Sequence, residues 1–486
     1  MSHRSITPYC GTTTTLQLVL ILLFLCLLAA CGGGSGSPTG PTVPPTVPPP
    51  APSSSPTAAS SFGMQCGIGD PADCEGSGGT PIKWPATQAQ PGMLRLHDAG
   101  TYWSILNPQS GVYDWSSLDA WLDVIAQHEP VDVIQVFTWT PCWDTNSPGS
   151  TCGIAPTAPT GSNGVPSDLT ASGSPSFNSF VTNFVQHCSA AGKCVSDIIK
   201  YYEMWNEWDL NFHWVGNMNQ LYQMLAPAAQ IIKTNVPNAI VMSPSSTPAA
   251  VGAASNTGLG WQCDFQSWLN LENTNGRFSD WADWHVYLLN TDATTNIPEQ
   301  QFSTYSAVFV NIQDGGTVQN CSAGPVSGWS TTPWANTETN FGGSSQINFA
   351  CPTTYSADDC TGQIVRWQLL HASNGGSSVD WYKWNETIGG NPQYETAYYN
   401  MMQYMEGGKF TAVCSFTGAG EASTWTCPFT EKSGTSALWV WTPAEAGTTY
   451  TVPSGYVDFE DLTGATTTVA SGQSIPISVE PILLEQ

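Results

Sequence analysis

The residues whose types could do chemistry sit at the ends of apolar runs. Ile198 to Trp205 reads as a strand that stops at Asn206-Glu207, and Thr332 to Glu338 (TPWANTE) as one that stops at a second carboxyl. Arg95 and His97 close the run Gly92 to His97, His285 and Tyr287 close Trp281 to Tyr287, and Trp384 closes Val379 to Trp384. Arg95/His97, His285/Tyr287 and Asn336/Glu338 are each spaced i, i+2, which puts both members of a pair on one face of a strand. Asn206 and Glu207 are adjacent, so a bulge or the strand's end must deliver both. Charged or polar groups on four separate strands are costly to bury without a purpose. Two carboxyls facing one cavity suit cleavage of a glycosidic bond: one protonates the leaving oxygen, the other attacks or activates water. Glu207 is expected as general acid/base, with Asn206 orienting. Glu203, deeper in its strand, and Glu386, at the start of a loop, are the alternative carboxyls and rank behind.

Eight strand-then-helix units can carry these groups. The strands are Ser61 to Gly67, Gly92 to His97, Val131 to Trp139, Ile198 to Trp205, Ala239 to Ser243, Trp281 to Tyr287, Thr332 to Glu338 and Val379 to Trp384. Asp114 caps a helix whose Leu118, Trp121, Leu122 and Ile125 fall at i, i+3, i+4 and i+7. Further helices are expected over Phe177 to Cys188, Asn217 to Lys233 with a kink at Pro227, Trp261 to Leu271, Pro298 to Ile312, Thr361 to Ala372 and Glu395 to Met405. Alternating strands and helices predict a parallel sheet, and eight units predict its closure into a (β/α)8 TIM barrel. An open doubly wound sheet is the rival, disfavoured because no Gly-rich phosphate loop follows an early strand. Barrels of this kind present catalytic groups at the C-terminal ends of their strands. From Lys409 the apolar period changes to two, as in Leu438/Val440 against Trp439/Trp441, and predicts a small antiparallel β-sandwich. The barrel is expected over residues 61–406 and the sandwich over 407–486; residues before the first strand are expected to lend the sandwich an edge.

Residues 1–30 have the form of an export signal, with the apolar run Leu16 to Ala30 too short to span a bilayer comfortably. Leu28-Ala29-Ala30-Cys31 resembles the bacterial lipobox, which implies cleavage before Cys31 and lipidation of its thiol; an ordinary signal peptide is the alternative. Residues 31–60 are Gly-, Ser- and Pro-rich and read as a tether. Setting aside Cys10, Cys26 and Cys31 leaves twelve of the 15 cysteines, an even number that favours disulfides in an exported chain. Proximity suggests the pairs 66/74, 142/152, 188/194, 351/360 and 414/427, which leaves Cys263 and Cys321 to pair with each other. The net charge of −26, with only 11 Lys plus Arg, excludes nucleic acid as a natural partner and disfavours polyanionic substrates. No metal or cofactor is expected: there is no HExxH helix, Walker loop or GxSxG elbow. The membrane is expected to be met through the N-terminal lipid only, at the bacterial cell envelope, with the outer membrane or the extracellular side as the destination.

The constellation resembles the large clan of retaining (β/α)8 glycoside hydrolases, clan A. The resemblance rests on Trp205-Asn206-Glu207, Glu338, His285, Tyr287 and Arg95. Within the clan, Phe62-Gly63-Met64, the run Leu94 to Ser104 (LRLHDAGTYWS), Gly111 to Trp115 (GVYDW) and the terminal sandwich are similar to glycoside hydrolase family 39 and its relatives. It implies Glu207 as acid/base, Glu338 as nucleophile, and Arg95, Asn206, His285 and Tyr287 as groups that orient the nucleophile or hold sugar hydroxyls. His97 and Trp384 are further candidates for sugar contact. The chain departs from the clan in carrying Trp208, not proline, after Glu207, and Thr339-Asn340-Phe341 after Glu338. Trp139, Trp143, Trp208, Trp214, Trp334 and Trp384, read at or beyond strand ends, offer faces on which sugars stack. The expectation is a retaining glycosidase acting on a neutral oligo- or polysaccharide. A carbohydrate-binding surface lipoprotein on the same barrel and a transglycosylase are the alternatives.

Overall fold

The computed structural model describes residues 57–58, 62–65, 84 and 90–486, apart from 129, 146–149, 154–160, 248–260, 290–297, 303–320, 322–325, 330, 343–350, 352–354, 385 and 386. The expected signal, Cys31 and nearly all of the tether lie outside them, as do Cys66, Cys74 and Glu386.

Eight strands form the barrel: β1 Phe62–Gln65, β2 Met93–Leu96, β3 Asp132–Val136, β4 Tyr201–Glu203, β5 Ile240–Met242, β6 Ala282–His285, β7 Trp334–Thr339 and β8 Gly376–Trp381. They pair in parallel in the order β5-β4-β3-β2-β1-β8-β7-β6. Bridges Met242↔Trp281 and Ser246↔Trp284 join the two ends, so the sheet closes on itself. Alternation sorts the side chains. Phe62, Met64, Val133, Tyr202, Val241, Trp284 and Val379 join the apolar layer beneath the helices. Met93, Ile134, Tyr201, Met242 and Ala335 form a separate apolar cluster inside the barrel. Burying both faces is why the strands read as continuous apolar runs.

The helices are α1 Ser116–Ile125, α2 Pro175–Val185, α3 Met218–Asn235, α4 Trp261–Asn275, α5 Ala357–Ser373 and α6 Pro392–Met405. α3 opens on a capping box between Asn217 and Gln220 and runs through Pro227. Three expectations shift. α1 is capped by Trp115, with Asp114 Oδ1 accepting from the Ser116 N–H instead. α5 starts four residues early, because Ser356 accepts from the Asp359 N–H and caps it. β4 is shorter than the run Ile198 to Trp205, because Val195–Ile198 closes a helical turn ahead of it. Of the helix expected over Pro298 to Ile312, residues 298–302 are helical and the rest lies outside the described residues.

Beyond α6 the chain becomes antiparallel: β9 Lys409–Phe410, β10 Ser415–Thr417, β11 Thr424–Thr430, β12 Ser436–Trp441, β13 Thr448–Thr451, β14 Asp458–Glu460, β15 Thr466–Thr468, β16 Ser474–Ile477 and β17 Ile482–Glu485. Seven of these make one sheet, and β13 with β16 makes a second. Leu438, Val440, Ile482 and Leu484 pack with Ile475 and Ile477 between the sheets. The alternate residues Trp439, Trp441 and Leu483 join the barrel's core instead. The period of two in β12 therefore has two destinations, and the sandwich is bonded to the barrel through one face. At that seam Glu299 Oε1 accepts from Trp441 Nε1 at 2.6 Å and from Arg366 at 3.0 Å. Gly362 lets α5 approach closely, since a Cβ there would lie 2.1 Å from the Val479 carbonyl oxygen. Thr57 exchanges backbone hydrogen bonds with Gly407 and Gly408, so residues before β1 do reach the start of this region.

Among the described residues five cysteine pairs are joined: 142–152, 188–194, 263–321, 351–360 and 414–427. Among the described residues no helix is long and apolar enough to cross a membrane.

Candidate active site

The C-terminal ends of the barrel strands converge on Arg95. Its guanidinium is fully buried and donates from Nε to Glu203 Oε2 at 2.7 Å and from Nη2 to Glu203 Oε1 at 2.9 Å. It also donates from Nη1 to Glu338 Oε2 at 2.6 Å and from Nη2 to Asn206 Oδ1 at 2.8 Å. Burial alone would lower the Arg95 pKa, but the charges of Glu203 and Glu338 outweigh it and hold it well above the ordinary value. Burial would raise the Glu203 pKa, yet Arg95 and then His285 keep it far below the usual carboxylate range. Glu203 is thus an ionised group spent on Arg95, in keeping with its depth in the strand.

Glu207 and Glu338 meet above this ion pair. The ligand-type atoms of Glu207, His285 and Glu338 all lie within 4.8 Å of one another. Glu338 Oε1 accepts a short hydrogen bond from the Tyr287 hydroxyl. Burial and the nearby charges of Glu338 and Glu207 push the Tyr287 pKa well up, so the phenol keeps its proton and acts as donor. Glu207 Oε1 lies 3.0 Å from His285 Nδ1, and Oε2 lies 3.3 Å from His213 Nε2. Burial works to raise the Glu207 pKa, but hydrogen bonds from His213 and His285 hold it well below its usual value. Burial works against a charged His285, yet the surrounding carboxylates, Glu338 foremost, raise its pKa to about 10. In the free site the proton shared by this pair therefore rests on His285.

The loops that present these groups are strained. Asp98, Trp139, Glu207 and Lys383 have φ of 59°, 60°, 42° and 53°. They stand just past the ends of β2, β3, β4 and β8, and left-handed backbone at non-glycine positions persists only where the surroundings over-determine it. Ser245 Oγ accepts from the Glu207 N–H at 2.9 Å and donates to Glu203 Oε1 at 2.8 Å, fixing the turn.

The expected pairs divide. Arg95 and His97 both reach Gln65, at 2.5 and 3.3 Å, as period two requires. His285 and Tyr287 both reach the carboxyls. Asn336 and Glu338 do not share a face. The register of β7 slips between Asn336 and Glu338, so Thr337 and Glu338 both point inward. Asn336 instead bonds both backbone groups of Val286 and faces His371 of α5. A bulge that delivers two adjacent inward groups thus lies on β7, whereas Asn206 and Glu207 stand past the end of β4. Trp384 is fully buried against Tyr398, with ring centroids 5.2 Å apart. Trp334 opens β7 rather than closing it and packs on Trp284 and His371, so it belongs to the helix–sheet layer.

Several participants were not visible in the sequence. His213 sits six residues past Glu207 in a loop, and nothing in its spacing marks it. Simple alternation would turn Thr337 outward, yet its hydroxyl lies 2.8 Å from Asp283 Oδ1 and 3.2 Å from His285 Nε2. Asp283 was hidden in an apolar run; burial and the charge of Glu203 raise its pKa well above normal. Glu203, Asp283 and His285 form a second set with metal-like spacing. Arg95 already supplies the positive charge between Glu203 and Glu338, so side chains meet the demand that a cation would.

Three of the solved structures that share the architecture illustrate the likeness. One is a family 39 glycoside hydrolase from Bacteroides cellulosilyticus, 14% identical, with a TM-score of 0.52 over 81% of this chain and 75% of that one. The second is a family 39 β-xylosidase from Caulobacter crescentus, 14% identical, with a TM-score of 0.51 over 89% and 97%. The third is a glucosidase from Croceicoccus marinus, 14% identical, with a TM-score of 0.50 over 87% and 82%. The chain has the fold of clan A glycoside hydrolases. No protein-family model matches the chain, and no curated protein matches it.

Proposed function

We propose that the chain is a retaining glycoside hydrolase, with Glu338 as nucleophile and Glu207 as acid/base. The observation that carries this reading is the approach of the Glu207 and Glu338 carboxyls to within 4.8 Å, from the ends of β4 and β7. Carboxyls ~5–5.5 Å apart suit double displacement, whereas inversion needs roughly 6.5–9.5 Å to admit a water. The family 39 and glucosidase neighbours support the reading through their fold.

An oxygen of Glu338 attacks the anomeric carbon while the bond to the leaving oxygen breaks, and that oxygen takes the proton held by the Glu207–His285 pair. Esterification removes the Glu338 charge, the main influence that raises the His285 pKa. Giving up that proton to the leaving oxygen therefore becomes easier as the ester forms, and the pair is left as a base. Water, losing a proton to Glu207, displaces the sugar and frees Glu338. Arg95 and Tyr287 hold the two Glu338 oxygens and so aim the nucleophile. Asn206, bonded to Arg95, would meet a sugar 2-hydroxyl, and His97, whose buried Nε2 has no hydrogen-bond partner among the described residues, another. A neutral oligo- or polysaccharide is the substrate. The five disulfides suit an oxidising compartment, in keeping with an exported protein anchored through Cys31.

The test is incubation with a panel of 2-fluoro activated glycosides followed by peptide mass mapping. A glycosyl adduct on Glu338 is expected, and Glu338→Gln should abolish it. An adduct on another residue, or turnover undiminished in the variant, would overturn the assignment.

A further inference from the structure

Among the described residues few large apolar side chains are exposed, and one of them stands beside the site. Phe212 is 45% exposed. Its ring meets Trp139 edge-on at 4.9 Å and His213 at 5.0 Å. Trp139 and His213 lie 4.8 Å apart, so the three rings form one wall. Trp139 is buried and holds a left-handed backbone to stand there.

The wall is fixed in place. Asn163 Nδ2 donates to the Asn211 carbonyl at 2.7 Å, and the Asn163 carbonyl accepts from the Val215 N–H at 2.9 Å. Asn163 Oδ1 accepts from the Thr151 N–H at 2.9 Å, beside the Cys142–Cys152 disulfide. The His213 and Trp214 N–H groups both donate to the Leu210 carbonyl. An aromatic ring held exposed by a clamped loop forgoes the gain of burial, which a ligand can restore.

Its position selects the ligand. Glu207 Oε1 faces His285 and, through it, Glu338; Oε2 faces His213. The ring under attack by Glu338 lies on the first side. The leaving group departs past the acid, on the second. His213 uses Nε2 toward Glu207 and Asn206, and its buried Nδ1, on the other side of the ring, has no hydrogen-bond partner among the described residues.

We propose that Phe212, backed by Trp139 and His213, is the subsite for the leaving group, built for a ring on the scissile oxygen: a second sugar, whose apolar face stacks on Phe212. This inference rests on the glycosidase reading and adds which residues receive the leaving group.

The test compares kcat/KM for glycosyl fluorides with that for disaccharides of the same reacting sugar. The set spans xylose, glucose, galactose, arabinose and mannose in both anomers, assayed with wild type, Phe212→Ala and Phe212→Trp. Fluoride offers nothing to stack. The disaccharide-to-fluoride ratio should fall roughly tenfold in Phe212→Ala, the scale of one lost ring contact, and recover in Phe212→Trp. An unchanged ratio in Phe212→Ala, in an enzyme that turns over both substrate types, would overturn the subsite alone. A wild-type protein that hydrolyses none of the fluorides would remove the glycosidase reading and the subsite together.

Discussion

His285 and Glu207 share one hydrogen bond of 3.0 Å and, in the free site, one proton that rests on the imidazole. The general acid is therefore a pair. Its histidine also lies 3.9 Å from the nucleophile, so attack by Glu338 and release of the proton are electrostatically linked.

The pH dependence follows. His285 holds its proton up to about pH 10 in the free site, so the basic limb of kcat/KM should lie well into the alkaline range. His285→Gln leaves the proton to Glu207 alone and should move that limb several units toward acid, with kcat down ~10²–10⁴-fold. A limb that stays where it was would rule out the shared proton. His285 also contributes to stability with a definite sign. Its folded pKa is raised, so the contribution is complete below the unfolded value of about 6.5 and is lost as pH rises through about 10.

Gly63 and Asp380 compete for one space inside the barrel. A Cβ on Gly63 would lie 1.2 Å from Asp380 Oδ1. Gly63→Ala should cost about 3 kcal/mol by overpacking, read from urea denaturation, and less in an Asp380→Ala background. Equal costs in the two backgrounds would show that something other than the carboxyl occupies the space.

Asp380 itself is held protonated, its pKa raised by burial to about 8. Between the unfolded value, ~3.9, and that pH the unfolded chain ionises and the folded one does not, so stability falls across this window. Asp380→Asn should flatten the fall and leave the protein more stable than wild type near pH 8. Denaturation midpoints at pH 5 and 8 decide it; parallel shifts at the two would refute the assignment.

Asn336 and Asn206 should part company on substitution. Asn336 bonds the Val286 N–H and carbonyl at 3.0 and 2.9 Å, sewing β6 to β7. Asn336→Ala should lower stability by about 1–3 kcal/mol, the cost of buried groups left unpaired. Asn206→Ala should instead lower kcat with little change in melting. Reversed outcomes would exchange their roles.

Glu299 joins the domains. Removing its carboxylate strands the buried Arg366, which keeps only Asp359 at 3.3 Å, and orphans the Trp441 indole N–H. Glu299→Ala should cost about 3–5 kcal/mol and let the sandwich unfold ahead of the barrel in a two-step urea curve. A single unshifted transition would place the seam's strength elsewhere.

The amino-acid sequence alone determined much of this protein. Strands buried on both faces must be apolar throughout, and amphipathic helices must repeat near 3.6, so eight such alternations declare a barrel without coordinates. The chemistry of strand ends was equally legible, because carboxyls, Arg95 and His285 at the close of apolar runs have few other reasons to be there. Leu438 and Val440 against Trp439 and Trp441 announced the antiparallel sandwich, while the burial of both faces of β12 was decided by its packing on the barrel. Only the tertiary structure decided what depends on register and on loops. A one-residue slip in β7 turned Asn336 out and Thr337 in, and a slip leaves no mark in composition. His213, Ser245 and Phe212 arrive from loops whose path follows contacts far apart in the chain. The proton's place on His285 comes from summed burial and charge across four strands, a field that exists only once the chain has folded.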